Sequence, residues 1–467
     1  MTLKHIVGIL AFAAWSVAFP ATAQTDQATF ELRLDTFIEA QMRSQKVPGL
    51  AVAVLRSGEV IVAKGYGHAT LEHDVPVTPD TIFQSGSVGK MFTAAAIMTL
   101  VEQGQIKLDE PVGKFLPDAP SAWRPITIRH LLTHTSGIPD FEQEFDLKKD
   151  YTDDELVRHA YTFPLDFIPG KRWSYSNTGY MLLGIIATKV SGKSYLEIID
   201  KNVFKPLGMA TARGISEADI VPNRASGYRL VGDILKNQEW VSPTMNSTAD
   251  GALYFSLNDM IAWSRGVDKK ALLSAASWKE MLTPVKLNSG KPYPYGFAWN
   301  IDERGGQLSH YHGGGWQGFR SNYVRYLNDG VAIILLANSV NTDIEKLTDG
   351  VAELWNPALS NRKPDTLPKA EPSIDHRVAE LIKLARDGAL AESDVSLAPK
   401  GLVEALNQYF PKLLAGYGPL GKLTLVDRRE RGDDIIYSYT ALLGDRHVKV
   451  EFWRAPDGQS VRFMINV

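Results

Sequence analysis

The strongest constraint on this fold is where the strand-forming runs lie. Leu50-Ala51-Val52-Ala53-Val54-Leu55 and Val60-Ile61-Val62-Ala63 flank a Ser57-Gly58-Glu59 turn. Two apolar runs around a glycine turn read as a β-hairpin. Strand signals return only much later, at residues 295–301, 307–312, 322–327 and 331–338, with Asn328-Asp329-Gly330 as a hairpin turn. The stretch between is helical in pattern. A helix opens near Ser87 and runs through Met91, Ala94, Ala95, Met98 and Val101. Residues 126–137 read as a short helix closed by Gly137, followed by a polar helical region up to Pro169-Gly170. Residues 180–190 are apolar nearly all round, as in a buried helix, and a turn at 248–256 leads into another helix at 257–267. An amphipathic helix at 30–42 precedes the first hairpin. The expected architecture is therefore α+β. An antiparallel sheet is closed by the two ends of the domain, flanked by N- and C-terminal helices, with an all-helical lobe inserted and a cleft at the boundary.

Within Phe83-Gln84-Ser85-Gly86-Ser87-Val88-Gly89-Lys90 a glycine-serine break enters a helix. Ser87 falls at the helix N-terminus and Lys90 three residues on, so hydroxyl and amine share one face. The positive end of the helix dipole favours an oxyanion there. The bland alternative is a serine N-cap beside a solvated lysine. A second Ser-x-x-Lys, Ser360 to Lys363, precedes Pro364 in a polar stretch and cannot open a helix.

Two further segments carry chemistry. In Trp173-Ser174-Tyr175-Ser176-Asn177-Thr178-Gly179, Tyr175 is a candidate proton relay for Ser87, and Asn177 a partner for Lys90 or a substrate amide. The alternative is a helix-capping loop. In His310-Tyr311-His312-Gly313-Gly314-Gly315-Trp316, a strand sheds its side chains, which invites close backbone approach. The N–H groups of Ser87 and Gly315 are candidates for an oxyanion hole, and His312 for a polar donor lining the cleft. Trp173 and Trp316 flank two of these motifs, as pocket walls or as packing. Arg320 is a candidate anchor for a substrate carboxylate, though a structural ion pair is the more common fate.

Ser87-Val88-Gly89-Lys90, Tyr175-Ser176-Asn177 and His312-Gly313-Gly314, in that order, resemble the penicillin-binding-protein and class C β-lactamase superfamily. Leu131-Leu132-Thr133-His134-Thr135-Ser136-Gly137 strengthens the resemblance, which spans residues 30–355 and stops short of the C-terminal unit. It implies an acyl-enzyme mechanism. Ser87 is the nucleophile, Lys90 and Tyr175 share its proton while lowering each other's pKa, and Asn177, His312 and Gly314 support the substrate. Either Tyr175 or Lys90 serves as the base. Because His312 stands where class C β-lactamases usually carry Lys, the chain resembles the esterase, D-amino-acid peptidase and amidase branches more closely. β-Lactamase or DD-carboxypeptidase activity is the alternative, and a non-catalytic penicillin sensor is an alternative of another class.

The whole chain narrows the setting. Its 467 residues carry a formal charge of −3, with no basic excess to suggest nucleic acid or an anionic membrane. Lys4-His5, an apolar run at 6–19 and Ala21-Thr22-Ala23 read as a cleavable signal peptide, residues 1–23. No later segment is apolar enough to span a membrane. With no cysteine, an exported chain of this kind uses no disulfide, and a bacterial periplasmic or secreted location is expected. The expected partner is a small-molecule or peptide substrate, with no cofactor or metal. A zinc site on His130/His134 or His310/His312 is the rival, but Leu131 stands where a zinc-protease helix needs Glu. The hydrolase domain is expected at 24–360 and a proline-bearing linker at 361–372. An accessory α+β domain follows at 373–467, with helices near 376–388 and 398–414 and strands at 423–426, 435–443, 448–453 and 461–465. Oligomeric state is left open.

Overall fold

The computed structural model describes residues 21–140, 145–360, 367–396 and 402–466. The expected signal peptide lies outside them except for its last three residues, which begin helix α1 (Ala21–Gln45). Phe30, Leu34, Ile38 and Met42 recur every fourth residue of α1 and are all buried. Leu32, two places out of that stripe, is 68% exposed.

Strands β1 (Gly49–Arg56) and β2 (Glu59–Thr70) form the expected hairpin. A short β3 (Val75–Pro76) and then β4 (Ile82–Gln84) follow. The lobe contains α2 (Gly89–Glu102), α3 (Ile128–Leu132) and α4 (Asn177–Ser191). Next come β5 (Leu253–Ser256) and α5 (Leu257–Asp268). Strands β6 (Asn300–Arg304), β7 (Gln307–Trp316), β8 (Phe319–Tyr326) and β9 (Val331–Ala337) complete the main sheet, and α6 (Ile344–Trp355) closes the domain.

The seven-stranded sheet runs β6-β7-β8-β9-β1-β2-β3, so the first hairpin joins the late strands through β1 against β9. Strand periodicity explains why β1 is buried on both faces. Leu50, Val52 and Val54 pack with α1 and α6, whereas Ala51, Ala53 and Leu55 join the core shared with the lobe. Burying each such Leu or Val stabilises by about 1.5–3 kcal/mol.

Several local expectations change. Helix α3 ends at Leu132, not Gly137, and in the polar region after it the helix spans Asp153–Ala160. The expected turn at 248–256 ends as β5, which pairs with β4 through Phe83 and Phe255. A four-residue strand paired across the chain has no periodicity to betray it. This pairing sets Ser85 beside residues 251–253: Ser85 N–H bonds Leu253 O at 2.8 Å, and Ser85 Oγ donates to Gly251 O. Residues 295–299 precede β6 rather than belonging to it.

Beyond the linker, whose residues 361–366 lie outside the described set, α7 (Pro372–Asp387) starts earlier than expected. With α8 (Leu402–Leu414) it packs on a four-stranded antiparallel sheet, β10 (Leu420–Arg431), β11 (Asp434–Leu443), β12 (Arg446–Arg454) and β13 (Ser460–Asn466). The β10–β11 turn reaches back to the first domain. Arg172 Nη2 donates to Asp434 Oδ1 at 2.5 Å, and Arg431 pairs with Asp302. Among the described residues no helix is long and apolar enough to cross a membrane.

Candidate active site

Ser87 lies in a 3-10 turn, Gly86–Val88, that runs directly into α2. No side-chain hydroxyl caps α2, so the capping alternative for Ser87 is not what the structure contains. Lys90 stands in the first turn, fully buried. An ammonium group has three donors. Lys90 Nζ meets Ser87 Oγ at 3.1 Å, Asn177 Oδ1 at 2.6 Å and the carbonyl oxygen of Asp250. A buried lysine needs this complete set of partners, since an unpaired charge in the interior is strongly destabilising.

Asn177 opens α4 and is held at both ends of its amide. Its Oδ1 faces Lys90, while Nδ2 donates to Asp140 Oδ2 at 3.1 Å and its main-chain N–H to Asp140 Oδ1 at 3.2 Å. Burial, with Asp250 nearby, raises the Asp140 pKa to about 6 against the pull of Lys90. Tyr175 turns its ring to Lys90, with Nζ 4.9 Å from the centroid. Among the described residues no group hydrogen-bonds Tyr175 Oη at good geometry, although Lys90 and Ser87 lie close enough to lower its pKa. Burial outweighs them and raises it, so Tyr175 is a neutral phenol at neutral pH. Lys90 pulls the Tyr175 pKa down as expected, but the net shift is upward because burial is the larger effect.

The glycines of β7 lie directly against the Ser87 turn. A Cβ on Gly314 would sit 2.4 Å from Ser85 O and 3.0 Å from Ser87 N. Gly86, at φ +50°, would place a Cβ 2.5 Å from Gly315 N. Only glycine at these positions lets strand and turn close up. Gly315, Ser87, Asn177, Asp250 and Trp316 line one cleft. It continues into a space of about 330 Å³ walled by Phe145, Met181, Met245 and Trp316, with Asp140 and Asp250 at its polar end. Trp316 Nε1 donates to Asn246 Oδ1 at 2.7 Å, which fixes this wall.

Three expected site residues stand elsewhere or act differently. Trp173 does not line the cleft; it stacks on Tyr293, centroids 4.6 Å apart, behind Tyr175. Arg320 donates Nε to Val340 O at 2.7 Å, a structural contact, and does not line the cleft either. His312 is no donor to the cleft. It is buried, with Nδ1 2.7 Å from Gly313 O and Nε2 2.9 Å from Tyr295 Oη. Burial and the Lys90 charge lower its pKa to about 4. Of the proposed zinc ligands, His130 caps its own helix through Thr127, while His134 turns to Tyr295.

Asp140, Asp250, His134 and Tyr295 complete the surroundings of Lys90 and Tyr175 without having been singled out for such roles. His134 alone carried a signal, standing inside the Leu-Leu-Thr-His-Thr-Ser-Gly stretch.

The model of the family described as Beta-lactamase matches residues 34–354. This chain belongs to the beta-lactamase family. Penicillin-binding protein 4* of Bacillus subtilis (strain 168) is 30% identical over 326 residues, 65% of this chain and 71% of that one. A D-aminopeptidase of Gluconobacter oxydans (strain 621H) is 29% identical over 354 residues, 73% of this chain and 66% of that protein. Among solved structures, an octameric penicillin-binding protein homologue from Pyrococcus abyssi aligns with TM-score 0.63 and 25% identity, covering 93% of this chain and 99% of that one. That coverage takes in most of the C-terminal unit, where the motifs showed no resemblance. Membership of the beta-lactamase family and these relatives support a hydrolase.

Proposed function

We propose that this protein is an exported serine hydrolase that cleaves an ester, amide or peptide bond through an acyl-enzyme on Ser87. The observation that carries the reading is the buried Lys90 Nζ, 3.1 Å from the Oγ of Ser87, which itself lines the cleft with Asn177, Asp250 and Trp316. For the attack the Lys90–Tyr175 pair holds one proton fewer than ammonium plus phenol, as the free amine or the phenolate. Ser87 Oγ attacks the substrate carbonyl and its proton passes to that vacant site. The oxyanion rests on the main-chain N–H groups of Ser87 and Gly315. The same pair protonates the leaving amine or alcohol, and water then releases the acyl group.

His312 bears on the substrate. A buried neutral ring whose two nitrogens are both occupied offers no cation to a β-lactam carboxylate. This favours esterase or D-amino-acid peptidase or amidase activity, in keeping with the D-aminopeptidase relative. The test is a panel of p-nitrophenyl esters, D- and L-amino-acid amides and nitrocefin. Turnover of esters or D-amides well above nitrocefin is expected; turnover of nitrocefin alone would favour a β-lactamase. The similarity to a penicillin-binding protein keeps one second reading in play. Stable labelling by a fluorescent penicillin with no turnover of any panel member would make the chain a sensor. Export rests on the leader pattern at residues 1–23, and N-terminal sequencing of the mature protein checks it.

A further inference from the structure

Behind Tyr175 runs a buried chain of hydrogen bonds that the proposed chemistry does not use. Ser176 N–H lies 3.1 Å from His134 Nδ1. His134 Nε2 lies 3.2 Å from Tyr295 Oη, Tyr295 Oη 2.9 Å from His312 Nε2, and His312 Nδ1 2.7 Å from Gly313 O. His134, Tyr295 and His312 are all buried.

The two ends of this chain are main-chain groups with only one possible role each. Ser176 N–H can only donate, so His134 Nδ1 is an acceptor and carries no proton. A neutral ring then keeps its proton on Nε2 and donates it to Tyr295 Oη. At the other end Gly313 O can only accept, so His312 Nδ1 carries the proton and Nε2 is bare. Tyr295 must donate to it. The neighbouring Tyr180 hydroxyl spends its own proton on Leu132 O, at 2.8 Å, so toward Tyr295 it can only accept. It competes with His312 Nε2, 2.9 Å away, for the one Tyr295 proton and cannot reverse the order. Burial and Lys90 lower the pKa values of both histidines, in keeping with two neutral rings.

We propose that His134, Tyr295 and His312 form a one-directional brace that holds the Tyr175 loop at a fixed distance from the Gly313–Gly315 strand and leaves His312 without an N–H for substrate. The brace starts at Ser176, between Tyr175 and Asn177, and ends two residues before Gly315. Its first ring lies against Tyr175, centroids 4.3 Å apart. These are positioning residues. They span the two walls that must meet one tetrahedral centre, and a displacement of about 1 Å between such groups costs about 10²-fold in rate. His134 adopts φ +57°, a conformation uncommon for a side-chain-bearing residue, and so delivers its ring between Tyr175 and Tyr295.

The inference rests on the hydrolase reading for its effect on rate, but not for its geometry. The test is ¹⁵N NMR of histidine-labelled protein at pH 7, without substrate, in wild type and in Ser87→Ala. The brace requires a neutral Nε2–H tautomer at His134 and a neutral Nδ1–H tautomer at His312 in both proteins. A charged His312, or its Nε2–H form, overturns the brace even if Ser87 is the nucleophile. Conversely, an inactive or unacylated Ser87 leaves these tautomers untouched. Tyr295→Phe then removes both central bonds. Hydrolysis of p-nitrophenyl acetate should fall about 10²-fold in kcat with little change in KM, and the His312 resonances should shift. A folded Tyr295→Phe with wild-type kcat overturns the brace. If that variant fails to fold, the wild-type tautomers decide.

Discussion

Lys90 Nζ lies 3.1 Å from Ser87 Oγ, and its two remaining contacts, Asn177 Oδ1 and Asp250 O, are both acceptors. A lysine so placed can give or take the serine proton but has no other outlet. Lys90→Met keeps the length of the side chain and removes the amine. Hydrolysis should fall about 10²–10⁴-fold, the usual weight of a general acid–base group. The fold should survive with a lowered Tm, because Asn177 Oδ1 and Asp250 O lose a partner at about 1–3 kcal/mol each. Steady-state kinetics with circular dichroism checks both.

Tyr175→Phe separates chemistry from stability. The Tyr175 hydroxyl is buried and makes no hydrogen bond of good geometry among the described residues, whereas its ring packs on His134. Removing such a hydroxyl relieves a desolvation cost. Tm should stay level or rise, while kcat drops about 10²–10⁴-fold. A large fall in Tm with intact kcat would assign Tyr175 to packing.

Gly314→Ala tests the close approach of strand and turn. The added methyl would meet Ser85 O at 2.4 Å and Ser321 Oγ at 2.3 Å, and neither can withdraw without disturbing the 2.5 Å bond from Ser321 Oγ to Ser85 O. Overpacking of this kind costs about 1–3 kcal/mol. Because the displaced backbone carries Ser87, activity should fall by more than stability alone explains. Denaturant midpoints alongside kcat/KM measure the two separately.

His310 gives a pH signature away from the cleft. Burial, with Arg325 nearby, lowers its pKa from 6.5 to about 4. Between those values the unfolded chain binds a proton that the folded chain refuses, so stability falls as pH drops below 6.5. The loss is about 1.4 kcal/mol per pH unit in that window, an upper figure for a group of this burial. His310→Leu should remove it. The Tm of the variant relative to wild type should therefore rise as pH goes from 7 to 5, and an unchanged difference would contradict the assignment.

The sheet was legible because its central strands β1 and β9, buried on both faces, read as unbroken apolar runs. β1, β2, β8 and β9 each stand where an apolar run and a turn signal coincide. The Ser87–Lys90 pair was legible because helix geometry brings residues three apart together without help from the rest of the fold. What sequence could not reach depends on distant partners. Strand β5 exists because Phe255 pairs with Phe83, and its four residues carry no pattern of their own. The His134–Tyr295 contact joins residues 161 positions apart. The role of His312 turned on which atoms surround it: Tyr295 and Gly313 occupy both nitrogens, so a residue read as a donor to substrate has nothing left to donate. For Arg320 the structural fate was the more common one, and its partner, Val340 O, lies 20 residues away in sequence. The sign of the Tyr175 shift followed from the burial of its hydroxyl, which no single motif displays.

Acid-quenched hydrolysis of a p-nitrophenyl ester, followed by peptide mapping in the mass spectrometer, tests the central claim most directly. The expected result is an acyl mass on the peptide containing Ser87, absent together with turnover in Ser87→Ala. Undiminished turnover by Ser87→Ala, or an acyl group carried on another residue, would contradict it.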